Sequence, residues 1–146
     1  MIQTVKDSDT RPWFFLQTAH TTYGMRVMET GHLEHLYYGE RITVDAQDSA
    51  SCVPLIIQRA FTPGNTCTYD REHPQISMED ICLEVGTLGK GDIREPFLEV
   101  RFADGSVTSD FTFDSYKVIT LKEREQCLQD SGLPHSYSEV GTDSAE

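Results

Sequence analysis

The alternation that runs through residues 14–38 constrains this chain more than any other feature. Phe15, Gln17 and Ala19 oppose Phe14, Leu16 and Thr18. Tyr23, Met25 and Val27 share one side, and Gly24, Arg26 and Met28 share the other. Leu33, His35 and Tyr37 oppose Glu34, Leu36 and Tyr38. Successive side chains of an extended strand point to opposite faces, so an aromatic-rich run of period two reads as strands with one buried face. Glu29-Thr30-Gly31-His32 interrupts the run and offers a glycine where a tight turn needs positive φ, which predicts a hairpin at Thr30-Gly31.

Ala103-Asp104-Gly105-Ser106 predicts a second hairpin of the same kind, between residues 97–102 and 107–113. Residues 116–121 read as another strand, and residues 53–57 as a short buried one. Only residues 77–85 and 121–129 look helical. In the first, Ser77 is placed to cap with Asp80 three residues on. Residues 1–10 carry little apolar patterning, and residues 141–146 are small and polar, so both ends read as loosely ordered. Residues 133–139 look like the beginning of one more strand, which would leave an unpaired edge if the chain stopped there. The fold class this predicts is all-β: an antiparallel β-sandwich, incomplete within these 146 residues.

The formal net charge is −12. Phosphate backbones and anionic lipid need clustered Lys and Arg, so nucleic acid and membrane surfaces are excluded as partners. Neutral or cationic ligands remain open. The four cysteines, Cys52, Cys67, Cys82 and Cys127, form no C-x-x-C pair, and His73 stands at no zinc-finger spacing from them. The run Trp13-Phe14-Phe15-Leu16 is too short for a signal sequence or a membrane helix. Four free thiols in a cytoplasmic protein, with no metal and no cofactor, is the expectation.

Glycoside cleavage needs two carboxylates facing one bond. Asp70, Glu72, Glu79, Asp80, Glu84, Asp92 and Glu95 supply carboxylates, but no spacing pairs two of them across a pocket. There is no G-x-S-x-G elbow, and Gly86-Thr87-Leu88-Gly89-Lys90-Gly91 lacks the phosphate-loop spacing. Sugar binding fits the residue types better. Trp13, Tyr23, Tyr37, Tyr38 and Tyr69 offer aromatic faces, and Gln58, Arg59, Asn65 and Arg94 offer planar polar groups. Tyr37 and Tyr38 must lie on opposite faces of one strand, and an early Trp is more often core than platform. Asp92 and Arg94, two apart in a glycine-rich loop, read first as a clamp on that loop.

Five segments in order carry a resemblance. They are Thr18-Ala19-His20-Thr21-Thr22-Tyr23, Gly31-His32-Leu33-Glu34-His35-Leu36-Tyr37-Tyr38-Gly39, Arg59-Ala60-Phe61-Thr62-Pro63-Gly64-Asn65, Gly89-Lys90-Gly91-Asp92-Ile93-Arg94-Glu95-Pro96 and Leu133-Pro134. The succession resembles the N-terminal region of bacterial α-galactosidases of glycoside hydrolase family thirty-six, the melibiose- and raffinose-cleaving type. The resemblance spans residues 12–139. It implies a large N-terminal β-sandwich followed by a (β/α)₈ barrel and a small C-terminal β domain. It implies removal of terminal α-linked galactose with retention, by two Asp residues that belong to the barrel. On that basis residues 1–146 are part of the N-terminal sandwich, without the barrel and without a catalytic residue.

The resemblance further implies a homo-oligomer, a tetramer when full length, and an α-galactoside oligosaccharide as substrate. It also implies a loop that approaches the sugar pocket, where many members place an Asp directly before the Arg of the Arg-Ala-Phe motif. Here that position is Gln58, which exchanges hydrogen bonds with a hydroxyl but carries no charge. Gln58 and Arg59 are therefore the candidate substrate-binding residues. Two other readings compete with the enzyme portion: a free-standing carbohydrate-binding sandwich module and a purely structural oligomerisation domain.

Overall fold

The computed structural model describes residues 1–57, 68–90, 95–119 and 123. The chain divides into two units, Met1–Phe113 and Asp114–Glu146. The first is built on a four-stranded antiparallel meander in the order β1 (Ile2–Lys6), β2 (Pro12–Gln17), β3 (Thr21–Val27) and β4 (Leu33–Glu40). The all-β class predicted from the alternation is what the structure has. In the second unit, Asp114 accepts a hydrogen bond from Ser115 Oγ at 3.0 Å, and Lys117 Nζ lies 3.7 Å from Glu123 Oε1.

The β3–β4 hairpin turns where the sequence predicts. Met28 N–H donates to His32 O at 2.8 Å, and Gly31 holds φ at 82°. A Cβ at Gly31 would lie 3.2 Å from Thr112 Cβ, so the turn needs glycine both for its backbone and for its close neighbour.

β1 corrects the reading of the N-terminus as loosely ordered. Its five residues pair with β2 in the register Val5↔Trp13 and Gln3↔Phe15, and Val5 is buried. Only one side chain of β1 reaches the core, so its apolar signal is weak. Backbone hydrogen bonds and the Asp7 turn that follows hold it in place. Asp7 Oδ1 accepts from the amides of Asp9 and Arg11, both at 2.9 Å.

One residue breaks the alternation. Gly24 pairs with Tyr37 but Met25 pairs with His35, which leaves Leu36 as an extra residue in β4. Such a bulge turns the following side chains to the other face. Tyr37 therefore joins Leu36 on the inner side, against Val5, Trp13, Phe15 and Cys52. Tyr38 moves to the outer side, opposite Tyr23. The sequence pattern had put Tyr37 beside His35 and Tyr38 beside Leu36. Their lying on opposite faces survives, but the faces are exchanged.

Residues 53–57 are not a strand. Ser49–Leu55 forms a 3₁₀ helix, begun by Asp48, whose side chain accepts from Ala50 N–H at 3.0 Å. Pro54 cannot donate to a sheet ladder, and Val53 is exposed while Cys52 is buried in the inner core. The expected helix over 77–85 shrinks to the 3₁₀ turn Met78–Asp80, with no side-chain bond from Ser77. Met78 and Ile81 join Met28 and Ile76 in a second core.

The second turn forms, with Gly105 at φ 87° and Phe102 N–H donating to Ser106 O at 2.9 Å. Its flanks do not pair with each other. Leu98 bridges Thr87, and Ser109 bridges Gly89, so residues 86–90 lie between them. Residues 116–119 form no strand; residues 120–122 and most of 121–129 lie outside the described residues, as does the expected strand at 133–139.

Candidate functional site

Gln58 and Arg59 lie outside the described residues, as do Asn65, Asp92 and Arg94. What the structure describes is the frame from which their segments leave and to which they return. On the departing side, the 3₁₀ helix is pinned by buried Cys52, and Ile56 N–H closes it on Val53 O at 3.0 Å.

On the returning side the frame is a polar clasp around Tyr69. Tyr69 N–H donates to Ile76 O at 2.8 Å, and its hydroxyl donates to Asp110 Oδ2 at 2.8 Å. The other oxygen of Asp110 lies 2.7 Å from His32 Nε2, and His32 Nδ1 lies 2.9 Å from Thr30 Oγ1. The clasp thus ties the β3–β4 hairpin to residues 69 and 110. Lys90 adds a cation 4.9 Å from the centre of the Tyr69 ring and donates to Tyr69 O at 3.3 Å. Burial, reinforced by the bond to Asp110, pushes the Tyr69 hydroxyl up to about 12. The next residue, Asp70, is committed to its own turn. Its Oδ1 accepts from the amides of Glu72 at 2.8 Å and His73 at 2.7 Å. Slight desolvation raises its pKa, but the His73 amide and ring outweigh that and hold the carboxyl below its ordinary value.

A second group stands on the outer face of the sheet. Residues 82–84 run beside the start of β4, with His35 N–H donating to Cys82 O at 2.7 Å and Glu84 N–H donating to Leu33 O at 2.9 Å. This brings Glu84 over the outer face. Its Oε2 accepts from Tyr23 Oη at 2.5 Å, and its Oε1 lies 3.0 Å from His35 Nδ1. Burial, then the bond to Glu84, pushes the Tyr23 hydroxyl up to about 12. The Tyr23 ring meets His35 edge-on at 5.0 Å and Tyr38 at 5.9 Å. Of the five aromatic candidates, Trp13 and Tyr37 belong to the inner core, Tyr69 to the clasp, and Tyr23 with Tyr38 to this outer group.

Sequence reasoning named Glu84 only as one of many carboxylates and gave His35 no role. The acceptor and the donor that meet here are separated by 61 positions, and no local spacing announces the meeting.

A cleft of about 320 Å³ lies at the hairpin end of the sheet, between Asp7, Arg11, Arg26, Glu29 and Gln75. Its charges are matched internally. Arg11 Nε lies 2.9 Å from Asp7 Oδ2, and Arg26 Nε lies 2.7 Å from Glu34 Oε2. Gln75 Nε2 donates to Glu29 Oε1 at 3.2 Å. Among the described residues, Glu34, Glu84 and Asp110 are each engaged by a fixed donor. No three metal-ligating side chains gather among the described residues, and no helix among them is long and apolar enough to cross a membrane.

This geometry defines a class: a β-sheet domain whose strands are tied by side-chain clasps to segments distant in sequence. Residues 31–146 match the glycosyl hydrolase family 36 N-terminal domain. The chain belongs to that family, through that domain. It is 35% identical over 128 residues to the bifunctional alpha-galactosidase/sucrose kinase AgaSK of Mediterraneibacter gnavus, covering 86% of this chain and 12% of the relative. It is 29% identical over 126 residues to the alpha-galactosidase AgaA of Geobacillus stearothermophilus, covering 86% of this chain and 16% of the relative. The fold superposes on the alpha-galactosidase from Lactobacillus brevis with a TM-score of 0.62 and 32% identity, over 77% of this chain and 14% of that one. For the galactosidase domain of AgaSK the values are 0.60 and 29%, over 78% and 15%. The chain therefore spans less than a fifth of the length of these relatives.

Proposed function

We propose that this chain is the N-terminal portion of an α-galactosidase that removes terminal α-linked galactose, with retention, from oligosaccharides such as melibiose and raffinose. The observation that carries the reading is the match of residues 31–146 to the family's N-terminal domain, together with alpha-galactosidases as relatives. In this reading the catalytic carboxylates belong to a (β/α)₈ barrel outside these residues. Residues 1–146 contribute part of a β-sandwich, a surface for assembly into a tetramer, and a loop at the rim of the sugar pocket. Gln58 and Arg59 are the sugar contacts proposed on that loop, and the clasp around Tyr69 supports its returning end. The proposed compartment is the cytoplasm.

The test compares the purified chain with a chimera. In the chimera, residues 1–146 replace the matching N-terminal segment of AgaA. The chain alone releases no galactose from melibiose, and the chimera does. A rim hydrogen bond contributes about 0.5–1.5 kcal/mol. Gln58→Ala in the chimera therefore raises KM several-fold with thermal stability unchanged, and Gln58→Asp, which keeps an acceptor and restores the residue many family members place there, shifts KM as well. Unchanged kinetics in both variants would remove Gln58 from the site.

A further inference from the structure

Two segments rich in planar polar groups share one anchor in the described structure. Residues 58–67 include Gln58 and Arg59, and the chain returns from them at Thr68, directly before Tyr69. Residues 91–94 include Asp92 and Arg94 and follow directly on Lys90. Tyr69 and Lys90 touch, and every polar group of Tyr69 is engaged. Its N–H donates to Ile76 O at 2.8 Å, its carbonyl accepts from Lys90 Nζ at 3.3 Å, and its hydroxyl donates to Asp110 Oδ2 at 2.8 Å. Its ring lies 4.9 Å from the Lys90 ammonium and meets His32 edge-on at 5.1 Å.

Folding alone does not require so many bonds at one residue. The segment after Tyr69 is already held by the second core, where Ile76, Met78 and Ile81 pack with Met28 and Tyr69 packs against them. The bonds to Asp110 and Lys90 lie at the surface, where a hydrogen bond adds little to stability. What they fix is direction. Asp110 is held by buried His32, and His32 by Thr30, so the orientation of Tyr69 is referred to the β3–β4 hairpin.

We propose that Tyr69 and Lys90 are positioning residues for sugar recognition. From their shared anchor they set the directions in which the chain returns from residues 58–67 and departs into residues 91–94, and they act on an α-galactoside through Gln58 and Arg59. The proposal rests on the reading of Gln58 and Arg59 as rim contacts. Lys90 suits the role because its ammonium has three donors on a flexible stem, enough to meet a carbonyl and a ring face together. A hydrogen bond to sugar weakens steeply when its donor is tilted or displaced, so loosening the anchor weakens the contact without removing it. A rim contact holds substrate and transition state alike, so the loss appears in KM rather than in kcat.

The experiment is a double-variant cycle in the chimera with AgaA, read as KM and kcat for melibiose beside the unfolding midpoint. Tyr69→Phe keeps the ring and removes the bond to Asp110. Lys90→Met, at an exposed side chain, tests the same anchor without touching the second core. Each change is expected to raise KM several-fold with kcat unchanged. Combined with Gln58→Ala, each is expected to raise KM by less than the product of the separate effects, because it acts through the contact already removed. A lowered midpoint with KM unmoved in both variants would show that the anchor serves the fold alone, and would overturn the proposal. Effects that multiply in full would overturn action through Gln58. If Gln58→Ala moves KM and the anchor variants do not, the positioning role fails while the rim reading stands. If Gln58→Ala leaves KM unmoved, the rim contact and the positioning role fail together.

Discussion

Arg26 donates through Nε to Oε2 of Glu34 at 2.7 Å, directly across the β3–β4 ladder, and the Glu34 side chain has no exposure to solvent. The guanidinium also stacks on Trp13, its carbon 5.2 Å from the ring centre. A buried charge whose partner is removed keeps its desolvation penalty and loses its compensation. Arg26→Met should therefore cost about 3–5 kcal/mol in urea denaturation. The double change Arg26→Met with Glu34→Leu should recover much of that loss. A double variant as unstable as the single one would show that the pair does more than neutralise charge.

Tyr23 and Tyr69 make stability depend on alkaline pH. Burial, and then the bond to Glu84 or Asp110, raises each hydroxyl from its ordinary value of 10.0 to about 12. A group that holds its proton more tightly when folded stabilises the fold fully below its unfolded pKa. Above that value the unfolded chain binds fewer protons than the native one, and stability falls with rising pH. The window is between 10.0 and about 12. Denaturation midpoints should decline through it, and Tyr23→Phe with Tyr69→Phe should flatten the decline.

Asp7 works in the opposite direction. Burial raises its pKa, but the Arg11 side chain and the amides of Arg11 and Asp9 outweigh burial and leave it below the ordinary value of 3.8. Its contribution is present above that value and is lost as pH falls through the lower folded pKa. Asp7→Ala should cost about 1–2 kcal/mol at neutral pH and remove part of the acid dependence of unfolding.

Three glycines with positive φ separate backbone strain from steric contact. Gly89 has φ 98°, and a Cβ there would lie 2.7 Å from Thr108 Cγ2. Gly105 has φ 87° and open space around it. Gly105→Ala should cost about 1 kcal/mol, the left-handed conformation alone. Gly89→Ala should cost more, and Gly31→Ala should fall between them. Equal shifts in denaturation midpoint at all three positions would contradict the contact at Thr108.

The two described cysteines should react at different rates. Cys52 is buried, and burial pushes its thiol up, while Cys82 is exposed. A thiol reagent should modify Cys82 in the folded chain and reach Cys52 only on unfolding. Equal rates in the native protein would argue against the inner core as described.

The parts of this fold that sequence revealed are those fixed by local rules. Gly31 marks a hairpin because only a residue without a Cβ takes that φ easily beside Thr112. The faces of β2 and β3 follow from period two. The bulge at Leu36 does not, because it exists only in the pairing of β4 with β3, and it reverses the faces of Tyr37 and Tyr38. β1 is hidden because a strand with one deeply buried side chain writes almost no pattern. Of the outer group, the aromatic members were legible by type. Glu84 was not, because its place depends on residues 82–84 pairing with β4 far away in sequence. The clasp at Tyr69 is hidden for the same reason: Asp110 and His32 are 78 positions apart.

The central claim is that these residues are the N-terminal part of an α-galactosidase. The most direct measurement is galactose release from raffinose by three proteins: the 146-residue chain, AgaA lacking its matching N-terminal segment, and the chimera in which the chain replaces that segment. The account predicts release by the chimera and by neither of the other two. Release by the chain alone, or a folded chimera as inactive as the truncated enzyme, would contradict it.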